Sequence, residues 1–296
     1  MSLPNFVCIG AQKAGTTWLY EMLSQNPSIW LPPLKEVHFF DTRNAGEKGK
    51  QKKREKLLSL AEKAEKRGKA KGSKSGETPT DGWHRKMFKQ QEVETKSEFL
   101  RSLAGDDILT DDWYRRIFSH PDAVARISGE ITPAYLVLKE QQLAHMKSLL
   151  PDAKIVLLVR DPYARNVSEI KMSVARSKLT EPTDAEWRKV LEHQRKADRG
   201  NYKRAIPLYQ KYYAPEQLLI LPFSLVKTDP GGMIQTIESF VGAKHFDGYK
   251  ALSKQVHKTK EVEVPEWVLE NAASLAEPQK QYLIETFGAD FYEKTK

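Results

Sequence analysis

Short runs of apolar residues recur along the chain, and polar segments with helical spacing follow them. The clearest runs lie at 6–9, Lys154–Val159 and 218–221, and a further one lies near 126–131. Short runs of this kind, rich in Leu or β-branched residues, are typical of strands that are buried on both faces. Apolar strands that alternate with helices predict an α/β fold with three layers around a central parallel sheet.

Helical spacing is clearest after the first strand, where apolar residues from Trp18 to Leu23 fall on one face. Further helices are predicted over 133–149 and 265–287. We therefore expect a single domain over residues 1–296.

One segment, 44–76, breaks this alternation. It contains twelve Lys or Arg and four Glu, so it carries most of the formal net charge of +9. We interpret it as an insertion, a helix with a weak apolar stripe at Leu57, Leu60 and Ala64 and then a Gly/Ser/Lys linker. A solvated, partly disordered insertion is the simpler hypothesis. The alternative is a basic arm that holds an acidic acceptor.

A loop with two glycines joins the first strand to the first helix and reads Gly-Ala-Gln-Lys-Ala-Gly-Thr-Thr over 10–17. The N–H groups and the dipole at a helix N-terminus favour an anion, and glycine lets the backbone approach it closely. We therefore expect the loop to bind a phosphate. The predicted binding residues are Lys13, Ala14, Gly15, Thr16 and Thr17.

The position of the lysine distinguishes two classes of phosphate loop. A nucleoside-triphosphate loop has lysine directly after its second glycine. Here that position is Thr16, and the lysine lies inside the loop at Lys13. Binding of β- and γ-phosphates as in an ATPase is therefore disfavoured.

Four blocks, in order, resemble the sulfotransferases that use 3'-phosphoadenosine 5'-phosphosulfate (PAPS), especially the heparan sulfate 3-O- and N-sulfotransferases. They are the loop at 12–17, Lys-Glu-Val-His-Phe-Phe-Asp at 35–41, Gly-Glu-Ile-Thr-Pro-Ala-Tyr at 129–135 and Arg-Asp-Pro-Tyr-Ala-Arg-Asn-Val-Ser at 160–168. The resemblance covers most of the chain apart from the insertion. It implies a P-loop-type fold and transfer of a sulfuryl group from PAPS to an acceptor hydroxyl or amine. The product 3'-phosphoadenosine 5'-phosphate (PAP) is released, and no metal is implied.

Arg160 and Ser168 are the predicted site for a second anion. Arg160 follows the strand Lys154–Val159, and Ser168 lies eight positions on, in a predicted helix. Ligands of open α/β sheets bind at the carboxyl ends of strands, where a guanidinium and a hydroxyl can converge. The resemblance implies that this anion is the 3'-phosphate of PAPS; a pair between Arg160 and Asp161 is the alternative.

The resemblance also assigns two lysines to the donor. Lys13 stabilises the charge that develops on the bridging oxygen as the sulfuryl group leaves. Lys258 falls where the family has a basic loop over the donor, and a plain surface loop is the alternative.

Glu36 and His38 follow Pro32 and Pro33 in a predicted strand, whose alternation places both on one face. An acceptor hydroxyl needs a base to remove its proton at neutral pH. The resemblance implies that Glu36 is this base and that His38 orients it or contacts the acceptor. An exposed edge strand is the alternative.

One departure from the family bears on the acceptor. The heparan enzymes have Glu-Lys-Thr-Pro where this chain has Ile131 in place of the lysine. Ile131 cannot hold a sulfate, which puts glycan specificity in doubt more than sulfuryl transfer. The acceptor is left open between a polysaccharide, a lipid head group and a small metabolite, with acidic acceptors included.

Two other functions compete with sulfuryl transfer. A small-molecule kinase of the P-loop class would need Mg²⁺-binding carboxylates and the usual loop lysine. A non-enzymatic polyanion-binding module would be built around 44–76. The local character of the charge argues against nucleic acid as a partner, and no His/Cys cluster predicts a metal. Oligomeric state is left open.

The compartment follows from the cysteine count and the absence of apolar spans. Cys8 is the only cysteine, which suits a reducing compartment. No apolar run approaches the roughly 20 residues that span a bilayer, and the first ten residues lack signal-peptide features. We expect a cytoplasmic protein; the alternative is the catalytic domain of a longer secretory-pathway protein.

Overall fold

The computed structural model describes residues 2–71, 93–177, 179–253 and 262–296. Its centre is a five-stranded sheet with the spatial order β2-β3-β1-β4-β5, in which every neighbouring pair is parallel. The strands are β1 (Phe6–Gly10), β2 (Ile29–Trp30), β3 (Ile127–Ile131), β4 (Lys154–Val159) and β5 (Leu218–Pro222). The predicted α/β fold with a central parallel sheet is confirmed.

Helices flank the sheet. Those among the described residues are α1 (Thr16–Leu23), α2 (Gly46–Lys71), α3 (Val93–Ser102), α4 (Asp111–Phe118), α5 (Pro121–Ala125), α6 (Glu140–Leu149), α7 (Pro162–Arg176), α8 (Asp184–Ala197), α9 (Tyr202–Tyr212), α10 (Leu225–Thr228), α11 (Pro230–Val241), α12 (Glu266–Phe287) and α13 (Ala289–Glu293). Short 3-10 helices also occupy Pro133–Val137 and Pro215–Gln217. No helix in these ranges combines the length and the apolarity needed to cross a bilayer.

Two of the three interior strands, β1 and β4, are buried on both faces. Every residue of β1 is buried, and so is every residue of β4 after Lys154. The close spacing of β1 and β3 requires a glycine at Gly129, because a Cβ there would lie 2.3 Å from the Phe6 ring. Continuous apolar strands therefore form the middle of the sheet, and their carboxyl ends lie along one edge.

Two predicted elements differ from the structure. The predicted strand after Pro33 is irregular chain, while the short strand β2 was missed. The helix predicted over 133–149 is a 3-10 helix followed by α6. The break occurs because neither Leu138, with ψ of 142°, nor the extended Lys139 has a helical conformation. The helix α6 then begins where Gln142 Oε1 accepts a hydrogen bond from Lys139 N–H at 2.8 Å.

The described part of the basic segment 44–76 is the helix α2, which lies along α3. Leu57 and Ala61 form its buried stripe, whereas Leu60 is only partly buried. The Arg54 guanidinium donates to the carbonyl oxygen of Ala104 at 3.0 Å. Residues 72–76 lie outside the described ranges.

The side chain of Lys53, on α2, is buried, which is unusual for a lysine. Its ammonium donates to the carbonyl oxygen of Val37 and lies 5.6 Å from the centre of the Trp113 ring. Burial, followed by the nearby charge of Lys56, lowers the pKa of Lys53 to about 8 against the opposing effect of Asp41 and Glu130. The folded protein therefore bears the cost of a buried cation at neutral pH.

Because of this cost, we expect the difference in the free energy of unfolding between wild type and Lys53→Met to depend on pH. Below pH 8, Lys53 is protonated in both states, and the folded state is penalised. Above pH 8 only the unfolded chain keeps the proton, so wild-type stability rises relative to the variant until about pH 10.5. We expect a relative gain of about 1–3 kcal/mol between pH 7 and 10 in urea unfolding.

The exposed neighbour Lys52 offers a matched control. Lys52→Met should follow the wild-type pH dependence throughout the same range. Parallel curves for wild type and Lys53→Met would show that Lys53 is not a buried cation.

Candidate active site

The connection between β1 and α1 has the backbone geometry of an anion site. Lys13 and Gly15 adopt left-handed conformations, with φ of 72° and 84°. Gly15 precedes α1, and no side chain caps the helix, so its first N–H groups are directed at the loop. A Cβ at Gly15 would lie 3.2 Å from Phe223 and Val226, so this position favours glycine for space and for conformation.

Arg160 lies against this loop. Its Nη1 donates to the carbonyl oxygen of Lys13 at 2.8 Å, and its guanidinium lies 4.8 Å from the centre of the Phe223 ring. The Tyr202 hydroxyl holds the Arg160 backbone. The structure therefore brings Arg160 and Lys13, two predicted site residues, together.

The alternative partner of Arg160 is engaged elsewhere. The carboxylate of Asp161 accepts from Ala164 N–H at 2.7 Å and from the Tyr292 hydroxyl at 2.8 Å. Asp161 is thus the N-cap of α7, and it leaves the Arg160 guanidinium with the loop.

Ser168 lies on α7, two turns after its start, and is partly buried. An apolar cluster that includes Ile170, Trp187 and Val268 fixes α7 against α8 and α12. Arg160 thus lies between β4 and α7, and Ser168 lies on α7 itself.

Positive charge is concentrated at the loop. Burial lowers the pKa of Lys13, and the charges of Arg160, Arg176 and Lys35 lower it further, while Glu169 opposes the change. These cations repel one another, and an anion at the loop would relieve that repulsion. The positive charge and the backbone geometry therefore both favour an anion at the loop between β1 and α1.

The segment 35–41 places the predicted acceptor-side residues. Glu36 and His38 have left-handed conformations, with φ of 64° and 53°, so the segment is not a strand. Val37 and Phe39 are nevertheless buried, while Glu36 and His38 are only partly buried. Burial therefore alternates along the segment, although the predicted strand is wrong.

The side chains of this segment form a continuous chain of polar contacts that ends at Thr17, in the first turn of α1. His38 Nδ1 lies 2.7 Å from Asp41 Oδ2, and His38 Nε2 lies 3.2 Å from Glu36 Oε2. The other Glu36 oxygen lies 3.2 Å from the ammonium of Lys35, which donates to Thr17 Oγ1 at 2.8 Å. The structure thus joins Glu36 to both His38 and the loop.

These contacts determine the charge of each group. Burial by itself would raise the pKa of Glu36, but the His38 hydrogen bond and the Lys35 charge lower it to about 2. Burial would lower the pKa of His38, but the contacts with Asp41 and Glu36 raise it. Glu36 is therefore ionised at neutral pH, and it contacts both the Lys35 ammonium and the His38 imidazole.

A second carboxylate lies nearby in the sheet. Glu130, in β3, accepts hydrogen bonds from the Tyr114 hydroxyl at 2.6 Å and from Thr132 Oγ1 at 2.7 Å. Burial raises its pKa to about 7 against these two bonds. Its neighbour Ile131 is also buried, so the position of the missing family lysine is occupied by a core side chain.

Sequence reasoning missed three residues of this region. Lys35 and Asp41 flank the Glu36–His38 pair within the block at 35–41, and their charges were the available signal. Lys53 could have been found from its four-residue spacing to Leu57 and Ala61, which places all three on one face of a helix.

Lys258, a predicted donor residue, lies outside the described residues. Within the described ranges, no group of three or more His, Cys, Asp or Glu side chains is arranged to hold a metal ion.

The sheet order and the glycine-bounded loop define an α/β protein of the P-loop-like class. A model of the sulfotransferase family matches residues 4–247, and the chain therefore belongs to that family. This confirms the predicted membership of the sulfotransferase family.

Curated relatives include heparan sulfate enzymes. The chain is 24% identical over 280 residues to the human bifunctional heparan sulfate N-deacetylase/N-sulfotransferase 3, a match over 86% of this chain and 24% of that protein. It is 22% identical over 145 residues to the mouse heparan sulfate glucosamine 3-O-sulfotransferase 3B1, over 45% of this chain and 35% of that protein. The matches thus span about a quarter to a third of these relatives.

Solved structures share the fold. The sulfotransferase from Alicyclobacillus acidocaldarius has a TM-score of 0.58 and 21% identity, and all of both chains is covered. The sulfotransferase STF9 from Mycobacterium avium has a TM-score of 0.51 and 14% identity, over 97% of this chain and 78% of that one.

Proposed function

We propose that the protein transfers the sulfuryl group of PAPS to an acceptor hydroxyl or amine and releases PAP. The observation that supports this most strongly is the Thr17–Lys35–Glu36 contact chain, which holds an ionised carboxylate beside the phosphate loop. A base next to the bound donor is what transfer to a hydroxyl or amine requires.

The loop and its cations would bind the donor. Residues 14–17 would hold the 5'-phosphosulfate through the N–H groups at the start of α1. Lys13 would neutralise the bridging oxygen as the leaving group forms. Arg160 and Ser168 would bind the 3'-phosphate, for which a planar guanidinium is well suited.

Glu36, on the side of the site where the acceptor substrate would bind, would take up the proton of that substrate. The acceptor oxygen or nitrogen attacks the sulfur, the bond from sulfur to the 5'-phosphate oxygen breaks, and the acceptor proton passes to Glu36. His38, fixed by Asp41, orients the Glu36 carboxylate for this transfer. The protein's contribution is mainly positioning and charge stabilisation.

An acidic acceptor fits the surroundings of the base. The bond from Lys53 to Val37 holds α2 against the segment that carries Glu36. Lys48, Lys52 and Lys56 are exposed on the same helix. The heparan sulfate named for the relatives is an anionic polysaccharide, and such acceptors belong first in an assay. We propose that the reaction takes place in the cytoplasm; the buried, free thiol of Cys8, the only cysteine in the sequence, is compatible with a reducing compartment.

Thermal unfolding with a set of nucleotides tests the donor. PAP should raise the melting temperature well beyond AMP, because a ligand that binds only the folded protein stabilises it by mass action. At a concentration 100 times Kd the stabilisation is about 2.7 kcal/mol. Equal shifts for PAP and AMP would contradict a 3'-phosphate site.

ADP and ATP, with and without EDTA, complete the set. PAP binding should survive EDTA, since lysine, arginine and backbone N–H groups can neutralise its phosphates. A preference for ATP that requires Mg²⁺ would favour a kinase instead.

A further inference from the structure

Lys35 connects the two halves of the proposed site. Its ammonium donates to Thr17 Oγ1 at 2.8 Å and to Glu36 Oε1 at 3.2 Å. Thr17 belongs to the first turn of α1, where the donor's 5'-phosphosulfate would bind, and Glu36 is the proposed base. One cation is therefore shared between the donor loop and the acceptor-side carboxylate.

The Lys35–Glu36 ion pair is weak enough for Lys35 to exchange Glu36 for another anionic partner. The side chains of Lys35 and Glu36 are 27% and 33% exposed, so the pair is partly solvated and of modest strength. Glu36 also has a second partner, because His38 contacts its other oxygen at 3.2 Å. The carboxylate would stay oriented if Lys35 moved away.

The loop would compete for this cation once a donor is bound. A phosphosulfate at the start of α1 offers several anionic oxygens next to Thr17, and charge-assisted bonds to such oxygens are stronger than a bond to a neutral hydroxyl. Lys35 already lies within the cluster of cations that surrounds Lys13. Its long, flexible side chain can turn towards the anion without moving the backbone.

We propose that Lys35 couples donor binding to the activity of the base. In the free protein the Lys35 ammonium neutralises Glu36; when the donor occupies the loop, the ammonium turns to the phosphosulfate and leaves Glu36 free to accept the acceptor's proton. This inference rests on the proposed function, since it requires an anionic donor at the loop. It adds a donor-sensing role that the sequence blocks do not assign.

The chemical consequence is an order of events. Without donor, Glu36 is held by Lys35 and His38 and is a weak proton acceptor. With donor, the Lys35 ammonium is withdrawn, and the carboxylate becomes more basic at the moment when a sulfuryl group is available. By linkage, Glu36 must also oppose donor binding in the free protein, because it competes for Lys35.

This competition can be measured through PAP affinity alone, by isothermal titration calorimetry at pH 7. The four proteins are wild type, Lys35→Met, Glu36→Gln and the double variant. Lys35→Met should weaken PAP binding by about 10–100-fold, as expected for the loss of a charge-assisted bond. Glu36→Gln should tighten PAP binding by about two- to fivefold, the scale of a partly exposed ion pair.

The double variant decides the outcome. Once Lys35 is gone, Glu36→Gln should change PAP affinity by less than about twofold, because there is no shared cation to release. Independent effects of the two substitutions, or weaker PAP binding by Glu36→Gln, would overturn the coupling. A second cycle with Lys35→Gln and Glu36→Ala repeats the test with other side chains.

The controls separate this inference from the proposed function. The exposed Lys189→Met carries the same charge change and should leave PAP affinity within about twofold. Lys35→Arg keeps the charge and should restore most of the affinity. A wild-type protein that binds PAP no better than AMP would refute the donor assignment itself, whereas selective PAP binding with independent variant effects would refute the coupling alone.

Discussion

Glu36→Gln should lower kcat by about 10²–10⁴-fold, the usual effect of removing a general base. That loss corresponds to about 3–5 kcal/mol in the activation free energy. Glutamine keeps the shape and one acceptor oxygen for His38, but it cannot take up a proton near neutral pH. PAP binding should be retained or slightly tighter, because the loop keeps its own donors and Lys35 is released to the phosphates.

The assay would supply radiolabelled PAPS and a panel of hydroxyl and amine acceptors, beginning with anionic polysaccharides. Glu55→Gln is a matched control, because Glu55 is an exposed carboxylate on α2 and should leave kcat unchanged. Turnover by Glu36→Gln within about threefold of wild type would place the base elsewhere, and His38 would be examined next.

The strands at the centre of the sheet could be predicted because their environment is uniform. Both faces of β1 and β4 are buried, so each strand is an unbroken apolar run. The strand β2 could not be found in this way, since two residues carry no periodicity. Its place at the edge of the sheet depends on pairing with β3, which lies about 100 residues away in the chain.

The segment 35–41 shows what alternation can and cannot establish. Buried Val37 and Phe39 alternate with accessible Glu36 and His38, and this pattern is the same for a strand and for an irregular chain. Glu36 and His38 have left-handed conformations, and their neighbours Val37 and Phe39 make tertiary contacts. Two of these contacts are the bond from Phe39 N–H to the Tyr135 hydroxyl and the bond from Lys53 to Val37.

The lysines of the site were the hardest residues to assign. Because a lysine is usually solvated, the sequence alone assigns Lys53 to a charged helix face and Lys35 to the protein surface. Only the packing of α2 buries Lys53, and only the return of the chain after β2 brings Lys35 to Thr17. Local sequence patterns describe faces and periods; they do not describe which distant group a flexible cation meets.

Arg160→Ala should weaken PAP binding by about 2–4 kcal/mol, or roughly 30–1000-fold in Kd. The guanidinium is partly buried between Lys13 and Phe223 and is the proposed partner of the 3'-phosphate. AMP has no 3'-phosphate, so its affinity should fall by less than about threefold. Calorimetric titration of both nucleotides measures the two losses on the same protein.

The comparison with AMP distinguishes two roles for Arg160. If the residue mainly supports the loop through the Lys13 carbonyl, the loop would deform in Arg160→Ala and both nucleotides would lose affinity in parallel. If it binds the 3'-phosphate, only PAP is affected, and Arg160→Lys recovers part of the loss because it keeps the charge without the planar fork. Arg126 is exposed, so Arg126→Ala serves as the control for charge and should bind both nucleotides as wild type does. Parallel losses of PAP and AMP affinity confined to Arg160→Ala would assign Arg160 to support of the loop and remove it from the 3'-phosphate site.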